Sequence, residues 1–157
     1  MRVKIPYGNS YLEHDFGANC RVVHSKIAEM KPDGAGEEIV RKAMAHPISS
    51  QTLRELAVGK QNAVIIISDH TRPVPSKKII PFMLQELREG SPDIDITLLV
   101  ATGCHRETEV RELREKLGEE ILQKEKIVIH NCDSEDMVNL GKLPSGAELV
   151  INRRAAD

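Results

Sequence analysis

Residues 62 to 76 read Asn-Ala-Val-Ile-Ile-Ile-Ser-Asp-His-Thr-Arg-Pro-Val-Pro-Ser. The short apolar run at 63 to 67 reads as a buried strand that stops abruptly at Ile67. Asp69, His70, Thr71 and Arg72 stand at its carboxyl end. Pro73 and Pro75 stiffen the exit, because each fixes its own φ and pushes the preceding residue toward extended geometry. A helical pattern begins near Lys77. Strand, polar loop and helix in succession are the unit of an open α/β sheet, where ligands bind at the carboxyl ends of strands.

Working downstream, Ile79, Ile80, Met83, Leu84 and Leu87 form one helical stripe over 77 to 89, closed by Gly90 and Pro92. Residues 94 to 100 are the next strand, broken by Gly103. A charged helix is expected over 107 to 120, with the stripe Val110, Leu113, Leu117 and Ile121. Further strands are expected at 126 to 130 and 148 to 152. Upstream, short strands at 1 to 5 and 20 to 24 surround a turn signal at Gly8-Asn9. A loop follows at 28 to 36, then helices at 37 to 45 and 53 to 58, the first stopped by His46-Pro47. Alternating strands and helices predict an α/β fold in three layers. The strands near 63–67, 94–100, 126–130 and 148–152 are expected in one largely parallel sheet.

The bulk properties exclude several classes. The chain of 157 residues is long enough for one domain with a real core. Its 22 Lys+Arg against 24 Asp+Glu give a formal net charge of -2, so it lacks the basic excess that binds nucleic acid. Aromatics are 3% with no Trp, which removes stacking platforms and leaves the core to aliphatic side chains. No apolar run approaches the roughly 20 residues of a membrane span, and the first residues have no apolar signal core. Cys20, Cys104 and Cys132 are odd in number and widely spaced, which reads as reduced thiols in a cytoplasmic protein.

Three loops follow three expected strands. The first holds Asp69 to Arg72, the second is Ala101-Thr102-Gly103-Cys104-His105-Arg106-Glu107, and the third is His130-Asn131-Cys132-Asp133. If the strands run parallel, all three loops emerge at one edge, and convergent titratable groups there mark an active site. Arg72 offers a planar fork for a carboxylate or phosphate. His105 is suited to moving a proton near neutral pH, and Gly103 before it admits close approach by a ligand. Asp69 either orients a histidine or a substrate hydroxyl, or serves the backbone of its turn. His70 reads as a loop hydrogen-bonder. Zinc is not expected: Cys104 and His105 are adjacent and point opposite ways, and no Cys-x-x-Cys pair exists. Neither G-x-x-x-x-G-K nor G-x-G-x-x-G occurs.

Ser68-Asp69-His70-Thr71-Arg72-Pro73, Ala101-Thr102-Gly103-x-His105-Arg106, Ile129-His130, Leu140-Gly141, Gly146 and Val150-Ile151-Asn152-Arg153, taken in order, resemble the N-terminal domain of the nickel-dependent lactate racemase family. The resemblance implies a two-domain α/β enzyme that racemises or epimerises 2-hydroxy acids with a nickel-pincer nucleotide. In such an enzyme a histidine takes the proton of the substrate hydroxyl while hydride passes to the cofactor ring. His105 matches one of two acid/base histidines. Asp69 and Arg72 match polar residues around substrate and cofactor, with Thr71, Gly103 and Arg106 in the same motifs.

The resemblance also sets a limit. The family's cofactor lysine, nickel-ligating histidine and second catalytic histidine would follow position 157, so residues 1–157 are expected to be a truncated N-terminal domain. No cofactor is expected to bind here, no metal site is expected, and the chain alone is expected to be inactive. With no helix expected after the strand at 148 to 152, an apolar edge there is expected to favour a homo-oligomer. The competing reading is a non-catalytic α/β module that holds a small anion or nucleotide through Arg72 and Arg106.

Overall fold

The computed structural model describes residues 1–156; Asp157, the last residue of the expected domain, lies outside them. The chain divides into two compact units, 1–33 and the remainder from Gly34 onward. The first unit is an antiparallel hairpin, β1 (Arg2–Tyr7) and β2 (Ser10–Asp15), with Tyr7 opposite Ser10 and Gly8 at φ 57° in the turn. The turn stands where Gly8-Asn9 signals it. The returning arm is residues 10 to 15, not 20 to 24, which have no regular structure. A two-residue link demands an immediate return of the chain. The hairpin buries almost nothing, and its visible cross-strand ties are exposed ones: Arg2 to Glu13 at 2.7 Å, and Lys4 over the Tyr11 ring.

The second unit holds the sheet. It runs α1 (Gly36–Ala45), α2 (Leu53–Ala57), β3 (Asn62–Ser68), α3 (Ser76–Gly90), β4 (Asp95–Ala101), α4 (Val110–Leu117), α5 (Glu119–Lys124), β5 (Lys126–Ile129), β6 (Met137–Lys142), β7 (Glu148–Asn152) and α6 (Arg153–Ala156). β3, β4 and β5 are parallel neighbours in that order, with Ser68 beside Ala101 and Val100 beside Ile129. The fold is therefore α/β with a parallel sheet. β4 lies in the middle, and Ile96, Thr97, Leu98, Leu99 and Val100 are all buried. β3 is an edge strand and is only half buried. Ile65 and Ile67 face the core, while Val64 and Ile66 are exposed.

One face of the sheet carries the core. Ile65, Ile67, Ile96, Leu98 and Val100 meet Ile80, Leu84 and Leu87 of α3, Leu113 and Leu117 of α4, and Ile121 of α5. Gly90 does more than end α3. A Cβ there would sit 2.2 Å from the Arg54 carbonyl oxygen and 2.8 Å from Ala57 Cβ, so its missing side chain lets α2 lie directly on α3. The helix expected over 107 to 120 is two helices, divided at Gly118 with φ 90°. Val110 is 60% exposed and not part of the stripe.

The strand at 148 to 152 does not join the parallel sheet. It pairs antiparallel with β6, Val138 beside Ile151, in a separate two-stranded sheet. Only residues 143 to 147 connect the two strands. A parallel pair needs a crossover of a dozen or more residues, so this link can close only a hairpin. The strand is also followed at once by α6, whose start is fixed by Arg154 N donating to Asn152 Oδ1 at 3.0 Å.

Candidate active site

The parallel register brings the ends of β3 and β4 level, and the two loops beyond them meet. Asp69 is the first residue past β3, and its side chain is 3% exposed. Thr71 closes an Asx turn on it: the Thr71 amide donates to Oδ1 at 3.1 Å, and the Thr71 hydroxyl donates to the same oxygen at 2.7 Å. The second loop makes a tight turn in which His105 N donates to Thr102 O at 3.0 Å, with Gly103 at φ 58°. A Cβ on Gly103 would meet nothing within 4 Å, so the turn's backbone, not close packing, calls for glycine. The turn delivers His105 Nδ1 to Asp69 Oδ2 at 2.6 Å.

The chemistry of this pair follows from its partners. A carboxylate only accepts, so Nδ1 carries the proton and Nε2 is left as the basic nitrogen. The imidazole is 49% exposed, so Nε2 is within reach of a ligand. Burial by itself pushes the Asp69 carboxyl up. The hydrogen bonds from His105 and Thr71 and the attraction of His105 outweigh it and hold the group at about 2. Asp69 is thus a fixed anion that orients the ring.

The remaining sequence-nominated residues divide. Arg72 follows on the same loop and makes no side-chain ion pair among the described residues; it lines a depression with His70, Val74, Glu112, Glu115 and Lys116. Its carbonyl accepts from Lys116 Nζ at 3.0 Å. Burial lowers the Lys116 ammonium while the Asp69 charge works against that. Arg106 is already engaged: Nη1 and Nη2 reach Glu112 Oε2 and Oε1 at 2.9 and 2.6 Å, and Nη1 also donates to Glu107 O. His70 Nδ1 lies 3.2 Å from Thr108 Oγ1. His130 follows β5. Its carbonyl accepts from the buried Thr102 hydroxyl at 2.6 Å, and Asn152 Nδ2 donates to its Nδ1 at 3.3 Å.

Thr108, Glu112 and Lys116 are not among the sequence-nominated site residues. The four-residue spacing of Glu112 and Lys116 is the available signal, because it places them on one face of α4; Thr108 lies just before that helix. Among the described residues no group of three or more His, Cys, Asp and Glu is arranged to hold a metal ion. Burial, the Asp133 carboxylate and Cys104 all push the Cys132 thiol up, which is the opposite of an activated nucleophile. A larger depression between α1, α2 and α3 lies elsewhere; its Arg54 is already paired with Glu86 at 2.8 Å, and also with Glu89. No helix among the described residues is long and apolar enough to cross a membrane.

Comparisons with known proteins place the chain by family and fold. Residues 7–157 match the lactate racemase N-terminal domain family. A lactate racemase of Thermoanaerobacterium thermosaccharolyticum is 40% identical over 158 residues, covering 99% of this chain and 37% of that protein. One from Lactiplantibacillus plantarum is 48% identical over 135 residues, covering 85% and 30%. The chain thus spans about a third of the length of these relatives. The solved lactate racemase apoprotein from T. thermosaccharolyticum superimposes with a TM-score of 0.82 at 38% identity, over all of this chain and 37% of that one. A Thermotoga maritima crystal structure at 19% identity, with a TM-score of 0.58 over 80% of this chain and 32% of that one, shares the fold. With the family match spanning nearly the whole chain, this protein belongs to the lactate racemase N-terminal domain family.

Proposed function

We propose that this chain supplies the proton-handling half of a 2-hydroxy acid racemase or epimerase, with lactate as the first substrate to test. His105 Nε2 takes the proton from the substrate hydroxyl and returns it when the hydroxyl re-forms. Asp69 holds the ring with Nδ1–H inward and stabilises the imidazolium, and Thr71 holds Asp69. The free guanidinium of Arg72 binds an anionic group, the substrate carboxylate or an acidic group of the cofactor. Gly103 shapes the turn that aims His105. The single observation that carries this reading is the 2.6 Å contact between His105 Nδ1 and Asp69 with the ring half exposed. Support comes from the relatives, which are named lactate racemases.

Removal of the hydroxyl proton leaves a carbon-bound hydrogen to be carried as hydride. That chemistry belongs to the nickel-pincer nucleotide the resemblance implies. Among the described residues, the groups that face this chemistry are the proton carrier His105 and the unpaired guanidinium of Arg72, not a cluster of metal-ligating side chains. The exposed free thiols of Cys20, Cys104 and Cys132 suit a cytoplasmic setting.

The test is enantiomer-specific assay of lactate isomerisation in a complete enzyme carrying this segment. His105→Ala is expected to lower turnover by about 10²- to 10⁴-fold, the usual contribution of a positioned acid/base. Wild-type turnover by that variant would overturn the assignment.

A further inference from the structure

Three side chains on one face of α4 and its approach reach the loop that carries Asp69. Thr108 Oγ1 lies 3.2 Å from His70 Nδ1, Glu112 Oε2 lies 3.7 Å from the same nitrogen, and Lys116 Nζ donates to the Arg72 carbonyl at 3.0 Å. Of the three, only Glu112 also faces the other loop. Its Oε1 and Oε2 take both arms of Arg106, the residue next to His105, and Oε2 accepts the Glu109 amide at 2.8 Å. One carboxylate therefore grips the His105 loop through Arg106 and stands 3.7 Å from His70 on the Asp69 loop, a pairing that is ionic when His70 is protonated.

We infer that Glu112 is a positioning residue that sets the Asp69 loop and the His105 loop against each other, so that His105 Nδ1 meets Asp69. This rests on reading His105 as the proton carrier. A parallel two-bond fork fixes the direction of a guanidinium as well as its distance, and so restrains the backbone at Arg106 and with it the ring one residue earlier. The Glu112 side chain is 15% exposed, so water competes weakly for these bonds. Its removal leaves the Glu109 amide without its side-chain acceptor and leaves Arg106 with only the Glu107 carbonyl at 2.8 Å and the longer contact to Glu109. The His105 loop then keeps its 102-to-105 turn, the Thr102 hydroxyl bond, the Arg106 bond to Glu107 O and the Asp69 contact itself, but loses the tie that fixes the direction of Arg106.

The tautomer of His105 reports this directly. A neutral histidine free in water favours the Nε2–H form, whereas the Asp69 contact selects Nδ1–H. Imidazole ¹⁵N shifts of the 157-residue chain at alkaline pH, assigned by loss in His105→Ala, give the proportion of each form. In the wild-type chain the Nδ1–H form is expected to dominate. Glu112→Ala is expected to shift the ring toward Nε2–H while the amide spectrum stays dispersed, and Arg106→Ala to do the same. The double variant is expected to add nothing further, because both act through one fork. Should Glu112→Ala fail to fold, Glu112→Gln decides the matter. It keeps an acceptor for the Glu109 amide and loses the ionic fork, so an intermediate shift is expected.

A capping role alone would lower the thermal midpoint and leave the tautomer unmoved. A folded Glu112 variant with the wild-type proportion of Nδ1–H overturns the inference, and so does a wild-type ring already in the Nε2–H form. None of these readouts needs turnover. A His105→Ala enzyme that racemises normally would therefore remove the proton-carrier reading and leave the positioning measurement standing.

Discussion

Asp69 and Glu112 are both held at about 2, yet the two regions reach that state from opposite sides. At Asp69 the largest influence is burial, which raises the carboxyl, and His105 and Thr71 must overcome it. At Glu112 the largest influence is the Arg106 fork, which lowers it, followed by the Glu109 amide, with burial a lesser opposing effect. The first carboxylate is an anion kept in a dry place by a half-exposed imidazole, so its charge is tied to a group that faces solvent and ligand. The second is satisfied by permanent donors, so its charge is tied to the scaffold. Equal acidity thus conceals unequal roles: one anion tunes a proton carrier, and the other fixes where that carrier stands.

The harshest test of this contrast is Asp69→Asn in a complete enzyme. The substitution keeps size and shape but no longer selects the Nδ1–H tautomer or stabilises the imidazolium. Lactate turnover is expected to fall by about 10²- to 10⁴-fold, with an unchanged circular dichroism spectrum. A loss no greater than that caused by Arg106→Ala would erase the distinction between the two regions.

Acid comes next. Both carboxyls lie below their ordinary values of 3.8 and 4.5 in the folded chain. A group depressed by folding contributes stability that is fully present above its unfolded value and is lost as pH falls through its folded value. The urea midpoint is therefore expected to hold near neutrality and to decline from about pH 5 toward pH 2. Glu112→Gln should flatten the upper part of that decline and Asp69→Asn the lower part. A midpoint independent of pH over this window would show that neither group is depressed.

One of these regions is legible in the sequence and the other is hidden. Asp69 and His105 each follow a strand that β-branched residues announce. Parallel strands send their carboxyl ends to one edge, so strand order and direction are enough to bring the pair together. Glu112 lies inside a run of charged residues, Arg111-Glu112-Leu113-Arg114-Glu115-Lys116, where composition cannot say which side chain faces inward. Its partner Arg106 reads as a ligand-binding residue, because a sequence motif does not reveal that a guanidinium is already paired. The same limit governs the fold. The parallel strands 62–68, 95–101 and 126–129 follow from alternation with helices. The hairpin of β6 and β7 escapes such reading because Met-Val-Asn-Leu-Gly-Lys carries too little apolar alternation to mark a strand. Without that partner, residues 148–152 look like one more parallel strand.

A milder substitution separates the regions further. Thr71→Val removes the hydroxyl donor to Asp69 at 2.7 Å and keeps the Thr71 amide donor and His105. Losing one of three donors to a charged acceptor at an exposed threonine is expected to cost about 1 kcal/mol in urea unfolding at neutral pH. The Asp69 carboxyl should rise toward its ordinary value while the Glu112 carboxyl stays where it is, which carboxyl ¹³C titration reads site by site. Equal movement of both would mean that the two regions are coupled more tightly than the Glu112 bridge requires.

The smallest effect is expected just past the far end of the helix that carries Glu112. Glu119 accepts from Arg114 Nε at 2.5 Å and from Gln123 Nε2 at 2.9 Å, and these bonds lower its carboxyl as the Arg106 fork lowers that of Glu112. By bond length alone this pair looks the stronger. Arg114 and Glu119 are each 52% exposed, however, against 15% for Glu112. Water and salt screen an exposed pair, and holding two long side chains in one geometry costs entropy that cancels most of the gain. Among the described residues neither makes a side-chain hydrogen bond or ion pair to the loops of Asp69 or His105. Glu119→Gln is therefore expected to leave the urea midpoint within experimental scatter at about 0.15 M salt, and to leave the His105 tautomer unchanged. If it destabilises the chain as much as Glu112→Gln does, then burial is not what separates a working carboxylate from a decorative one here, and the contrast drawn between the two regions loses its physical basis.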